Sequence, residues 1–322
     1  MELILTLDVG TTSVKACLFD RQLRQTALTS REYALQTRGV CAEVEAQVYL
    51  DAAAQCILAL PAEARAKVCA VALTTQGETL LCVDRQGKAL RPAIVWLDSR
   101  AEAQAARLAA ALDRQRFYER TGLPELSGAL PLAKLLWLRE QEPESWARTD
   151  KFLLLEDYLM LWLTGRAVTE KSLLTSTGYF DLQSDDYWDE ALALAELDRT
   201  CLPQALACGS IVGPVLPEVA EALGLPASAC VVTGAMDQTA AALAAGCTRP
   251  GTLCETTGTA MVAAAFTAHP QFSEDHHVTI YRHAMPGAYL YLPISNTIGM
   301  SLRWFRDEFC RDLDGGYAAL DR

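Results

Sequence analysis

The sequence predicts an α/β fold of two related lobes facing one cleft, and three observations point to it. One local pattern occurs twice. Residues 3–7 are a short apolar run closed by Asp8, followed by the small hydroxyl-rich turn Gly10-Thr11-Thr12-Ser13 and by alternating apolar residues at Val14, Ala16 and Leu18. Residues 253–256, the turn Thr257-Gly258-Thr259 and residues 260–265 repeat that order. Between them, short apolar runs of strand length alternate with stretches of helical spacing. Finally, the apolar run 229–233 leads straight into Gly234-Ala235-Met236-Asp237-Gln238 and an alanine-rich helix that would lie close against a sheet. Ligands usually lie in the cleft that such lobes enclose.

The opening hairpin is expected over residues 3–7 and 14–19, with a third strand in the alternating segments of 21–37. Residues 44–60 have helical spacing, with Val48, Ala52, Cys56 and Leu60 four apart. Residues 68–74 read as a buried strand ending in Thr74-Thr75-Gln76-Gly77-Glu78. A strand over 79–83 meets the tight turn Asp84-Arg85-Gln86-Gly87, whose glycine takes the left-handed position. Residues 93–96 form a short strand that delivers Asp98, Ser99 and Arg100. Helices follow over 101–112, 130–140 and 152–164, the last closed by Gly165 as C-cap. Residues 172–179 are rich in Ser and Thr, 181–189 form an acidic, aromatic loop, and 192–197 and 216–223 are short helices. The composition shifts near 209–217, where Gly213-Pro214 reads as a connector. Strands at 229–233 and from Tyr289, and helices over 239–245 and 299–310, complete the chain. Two domains result, 1–232 and 233–322.

Composition narrows the function classes. The chain has 322 residues, 51% of them apolar, and a formal net charge of −12. That balance argues against a nucleic-acid partner, which would want a basic face. The 11 cysteines show no CxxC spacing and sit mostly among apolar residues, so they read as small buried hydrophobes in a reducing compartment. No signal peptide and no apolar run of membrane-spanning length are visible. The expectation is a cytoplasmic protein with no membrane partner.

Chemistry concentrates at the turns. Gly10, Thr11, Thr12 and Ser13 can wrap a phosphate with backbone N–H groups and hydroxyls, and Asp8 at the lip could hold a divalent metal. A plain hairpin with a polar turn is the competing reading of that stretch. Asp237 can serve as a base, or as the N-cap of the alanine-rich helix. Gln238 can be a substrate contact or a helix-surface amide. His276, His277 and His283 do not have ligand spacing, because adjacent residues of a strand point to opposite faces.

The segments LDVGTTSVKACLFD, TTQGETLLCVDRQGKALRPAIVWLDSR, LLLEDYLMLWLTG, GAMDQTAAALAAG, TTGTA and NTIGMSLRWFRDEF, in that order, resemble the FGGY family of carbohydrate kinases. The resemblance runs along nearly the whole chain. It implies the two-domain ribonuclease-H/actin-like fold of sugar kinases, here a complete first domain and part of a second, with ATP and Mg²⁺ in the cleft. It implies that Asp237 is the general base on the attacking hydroxyl and that Gln238 contacts substrate. By the same resemblance Asp8 coordinates Mg²⁺, and Gly10, Thr11, Thr12, Ser13 and Lys15 face the nucleotide phosphates. Gly258 and Thr259 form the second phosphate turn, and Gly299 and Arg303 lie at the start of the nucleotide site. Lys15 could equally be a solvated lysine.

For the acceptor, Gln76, Glu78, Trp96 and Asp98 end strands on one side of the cleft. TQGET resembles the glycerol-kinase form, yet Gly77 stands where those enzymes have arginine. RPAIVWLDSR and LPLAKLLWLRE look more like xylulose kinases, which usually have Met-His where Gly77-Glu78 stands. The acceptor site is a hybrid. The function implied is ATP-dependent phosphorylation of a sugar or polyol, with a ketopentose such as xylulose as acceptor and a homodimer as a possible assembly. The adenine-binding part of the family lies beyond residue 322, so poor ATP binding and slow or no turnover are expected of this stretch. A truncated kinase serving as a sugar-binding or regulatory module is the alternative, which the intact Asp8, Asp237, Gly258 and Thr259 argue against. An acyl-phosphate-forming kinase of the same superfamily is disfavoured by WLDSR and by Asp237-Gln238.

Overall fold

The structure is a computed structural model that describes residues 2–257, 261–275, 277–295 and 298–310. Its centre is a six-stranded sheet with the spatial order Ile211–Pro214, Cys230–Met236, Val68–Thr75, Leu3–Val9, Ser13–Phe19 and Gln25–Glu32. Leu3–Val9 runs parallel to Val68–Thr75, which runs parallel to Cys230–Met236, and the remaining pairs are antiparallel. Strict alternation in LILTLDV places Leu5, Leu7 and Val9 on one fully buried face. The helix Ala46–Ala59 lies on the hairpin and the third strand, where its Tyr49, Cys56 and Ile57 share the core with Val14, Ala16 and Leu18. The Thr29 hydroxyl ties the sheet to that helix by donating to the Cys56 carbonyl at 2.7 Å.

The strands expected at 79–83 and 93–96 belong to a second, smaller sheet: Gln36–Arg38, Cys41–Val44, Ala93–Ile94, Leu80–Val83 and Lys151–Leu154. Residues 152–154 are therefore strand, and the helix starts only at Leu155. Leucine runs carry no period that separates a buried strand from a buried helix, and pairing with Leu80–Val83 decides it here. Gly87 and Gly165 have the left-handed backbone expected of them, and Gly122 is among the other glycines that share it.

The repeated hairpin is present as Leu253–Thr257 paired with Met261–Thr267, in register from Leu253↔Ala265 to Thr257↔Met261. It heads a sheet with Tyr289–Tyr291, Ile280–Arg282 and Ile294–Ser295. Gly258 and Thr259 lie outside the described residues, as does His276. This sheet shares a core with the helical segment: Ala264, Ile280, Leu290 and Leu292 cluster with Tyr118, Leu130 and Phe180. Gly122 is required at that seam, because a Cβ there would stand 2.2 Å from the Ile280 carbonyl, and its own carbonyl accepts the Ile280 N–H at 2.8 Å. The domain boundary expected at 232/233 falls inside the continuous strand Cys230–Met236 of the central sheet. Among the described residues no helix is long and apolar enough to cross a membrane.

Candidate active site

The parallel strands of the central sheet end together, and the candidate site is built on those ends. Asp8 is in register with Thr74, and Thr74 with Ala235, so Asp8 and the Asp237 segment lie across three adjacent strands. With neighbouring strands about 4.8 Å apart, that is a gap of roughly 10 Å. The Thr74 hydroxyl locks the alignment by donating to the Ala235 carbonyl at 2.7 Å. Carboxyl ends of parallel strands are where ligands bind in open α/β sheets.

Asp237 opens the helix Asp237–Ala244. Its carboxylate accepts the Gln238 backbone N–H at 2.6 Å. Burial pushes its pKa up to about 6; the Gln238 N–H opposes this and the negative charge of Asp8 adds to it. Gln238 is half-buried beside it.

At the lip of the turn, the Gly10 N–H donates to the Ser13 carbonyl at 3.0 Å and the Tyr33 hydroxyl donates to the Gly10 carbonyl, which fixes the loop. Thr12 is exposed, and Gly10, Thr11 and Ser13 are half-buried. Lys15 pairs with Asp8 at 3.3 Å in a half-exposed ion pair, so it is solvated and stands beside the candidate metal ligand. Asp8 fits a divalent cation, since its carboxylate is partly exposed and offers the hard oxygen donors such an ion takes.

On the candidate acceptor side, Trp96 donates its indole N–H to the Thr11 hydroxyl at 2.9 Å, which joins its segment to the hydroxyl-lined turn. Glu78 holds a left-handed backbone with φ +52, an uncommon conformation for a side-chain-bearing residue and a frequent mark of functional turns. Lys134 stabilises it: this fully buried ammonium donates to the Glu78 and Val95 carbonyls, each at 3.0 Å. Burial raises the Glu78 carboxyl, Lys134 counters that, and Asp237 raises it further. Burial lowers Lys134, and the charges of Glu78 and Asp98 resist. The Tyr281 hydroxyl, from the last sheet, reaches Glu78 at 3.4 Å. Gly77 packs under this loop, where a Cβ would stand 3.1 Å from the Ser176 hydroxyl and 3.4 Å from the Met236 sulfur. Gln76 is buried, and its carboxamide makes no hydrogen bond among the described residues.

Asp98 differs from expectation. It is fully buried and accepts from the Ala42 N–H at 2.6 Å, the Arg100 N–H at 3.0 Å and the Arg100 guanidinium at 2.7 to 3.0 Å. Burial works against its charge, but these donors hold its carboxyl below the usual range. Both oxygens are occupied, so Asp98 braces the Trp96 segment instead of presenting itself to a substrate. Gly299 and Arg303 lie on the helix Ile298–Phe309, and Arg303 is exposed; neither is brought to Asp8 or Asp237 by any hydrogen bond or ion pair among the described residues. His277 stacks on Tyr118 at 4.5 Å, and His283 is buried against the Cys247 carbonyl at 2.9 Å, both packing roles.

The mixed central sheet, with Asp8 and the Asp237 segment at the ends of its parallel strands, has the actin-like ATPase fold. The chain belongs to the FGGY family of carbohydrate kinases: the model of that family's N-terminal domain matches residues 3–244. It is 30% identical over 318 residues to a xylulose kinase of Lactococcus lactis, covering 97% of this chain and 63% of that protein. It is 27% identical over 312 residues to a gluconokinase of Bacillus subtilis, covering 95% of this chain and 60% of that one. The crystal structure of a xylulose kinase from Rhodospirillum rubrum superposes with a TM-score of 0.90 at 28% identity, over 99% of this chain and 65% of that chain. The chain thus spans about three fifths of the relatives it matches.

Proposed function

We propose that the protein transfers the γ-phosphoryl group of ATP to a hydroxyl of a neutral sugar or polyol, with a ketopentose such as xylulose as the acceptor. The observation that carries this reading is Asp237: a half-buried carboxylate, held up to about 6, just past a strand end aligned with Asp8. Phosphoryl transfer is mainly positioning and charge neutralisation. Asp237 accepts the proton of the attacking hydroxyl, and a pKa near the working pH suits a general base. Thr12 and Ser13 hydroxyls and the turn backbone orient phosphate oxygens, and Lys15 adds charge at the lip. Mg²⁺, held through Asp8, would neutralise charge on the transferring phosphate.

The acceptor is read by Glu78, whose carboxylate can take two neighbouring hydroxyls. Lys134 is engaged by two carbonyls and Arg100 by Asp98 and Glu43, so the side occupied by Glu78 and Asp237 favours a neutral acceptor over an acidic one. Eleven free thiols and ATP as donor support a cytoplasmic setting.

The test is a panel of pentuloses, hexuloses, polyols and gluconate assayed with MgATP on the full-length protein. Phosphorylation of a neutral ketose or polyol, with gluconate the poorer acceptor, is expected. Transfer to gluconate above all others would contradict the acceptor assignment, and no transfer to any of them would contradict the reading itself.

A further inference from the structure

The strand that leads into Asp237 breaks its ladder before it ends. On one side the strand pairing stops at Ile211, opposite Val232, with Thr233 still exchanging backbone hydrogen bonds with Ser210 and Gly209 at 2.9 Å. On the other side, the ladder to Val68–Thr75 skips between Val232 and Ala235, so Thr233 and Gly234 together face Leu73. Such a bulge bends a strand and re-aims the residues beyond it. Only glycine fits at this point, because a Cβ on Gly234 would stand 1.4 Å from the Leu73 carbonyl oxygen. Backbone N–H groups released in a buried place need new acceptors.

Two buried carboxylates supply them. Glu156, on the first turn of Leu155–Thr164, accepts the Gly234 N–H at 3.0 Å. Glu170 accepts the Met236 N–H at 3.1 Å, and the Ser172 hydroxyl, itself bonded to Glu170 at 2.8 Å, accepts that same N–H at 3.1 Å. Both side chains are fully buried. Glu170 is anchored in turn as the cap of Lys171–Leu174, taking the Ser172 and Leu173 N–H groups, and by the Cys208 thiol at 2.8 Å. Glu170 takes donors on both oxygens, which a carboxamide cannot do, whereas Glu156 accepts only through Oε1 and its other oxygen has no partner among the described residues.

We infer that Glu156 and Glu170 are positioning residues for the phosphoryl-transfer base: they hold the N–H groups of Gly234 and Met236 and so fix the bent strand end that presents Asp237 to the acceptor hydroxyl. This rests on the reading of Asp237 as the base. A neighbouring acid serves as the control, since Asp157 is equally buried and acidic but spends its hydrogen bond on the Leu154 N–H of its own helix, at 2.7 Å.

The experiment compares E156L, which removes the acceptor, with E170Q and D157N in the MgATP assay. E170Q is expected to lower kcat at least tenfold with acceptor KM changed less than threefold, E156L to do so to a smaller degree, and D157N to keep kcat within twofold. A kcat for E170Q that matches wild type, or a fall no larger than that of D157N, overturns the inference. Site-resolved amide hydrogen exchange needs no turnover: E156L should lose protection at Gly234 and E170Q at Met236, with D157N unchanged at both. Retained protection at those amides also overturns it, and does so even if wild type phosphorylates nothing, a result that would count against the kinase reading instead. A variant too unstable to assay is replaced by E156D or E170D, for which partial recovery of kcat is expected and none would contradict the inference.

Discussion

In the first hairpin Leu5, Leu7, Val9, Val14, Ala16 and Leu18 are all fully buried, whereas in the second Ala264 alone of the described residues reaches the core and Leu253 is 65% exposed. The two stretches share an order of strand, small hydroxyl-bearing turn and strand, and both form antiparallel ladders. Their environments differ because the first supplies two inner strands of a six-stranded sheet beneath the helix Ala46–Ala59, while in the second only Met261–Thr267 is inner and Leu253–Thr257 is a sheet edge. Pattern dictates pairing; the layer packed on top dictates how much burial the same pattern yields.

That contrast can be broken by mutation. L7A leaves a cavity in a close-packed face and is expected to cost about 2 to 5 kcal/mol, read from the urea midpoint at constant m-value. W96F removes the indole donor from the Thr11 hydroxyl while keeping the ring's apolar bulk. About 0.5 to 1.5 kcal/mol should be lost, together with a higher KM for MgATP, because the first turn loses its tie to the acceptor segment. L253A, in the second hairpin, should stay within about 0.5 kcal/mol of wild type. If L253A matched L7A, the two hairpins would be equivalent in packing after all.

Much of the fold was legible because the pertinent signals are local: alternation in LILTLDV, glycines at helix ends, alanine before and after Asp237. What escaped was decided by distant partners. Residues 152–154 became strand by pairing with Leu80–Val83, and Asp98 was taken up by the arginine of WLDSR itself and by the Ala42 N–H, 56 positions away, which leaves no mark there. Lys134 had a signal, a lone cation in LPLAKLLWL on a leucine-lined helix, as did Glu156 and Asp157, two acids inside LLLEDYLML. Charges on an otherwise apolar face are buried with a partner or absent, and reading them so would have pointed to the backbone groups they hold. Tyr281 had no such mark: its contact with Glu78 spans 203 positions of sequence.

The central claim is that Asp237 is the base and not a helix cap. As a base it must be ionised, so the rate should rise with pH through about 6. Stability should move in the opposite direction. A carboxyl raised from 3.8 to about 6 leaves folding unpenalised below pH 4, and the penalty grows to about 2 to 3 kcal/mol once pH passes 6. The most direct measurement is therefore D237N at pH 8, scored for phosphoryl transfer, acceptor binding and Tm together. Transfer should fall by about 10²- to 10⁴-fold, acceptor binding should persist, and Tm should hold or rise. Transfer that survives, or a Tm that drops with binding as the loss of a cap would cause, would contradict the account.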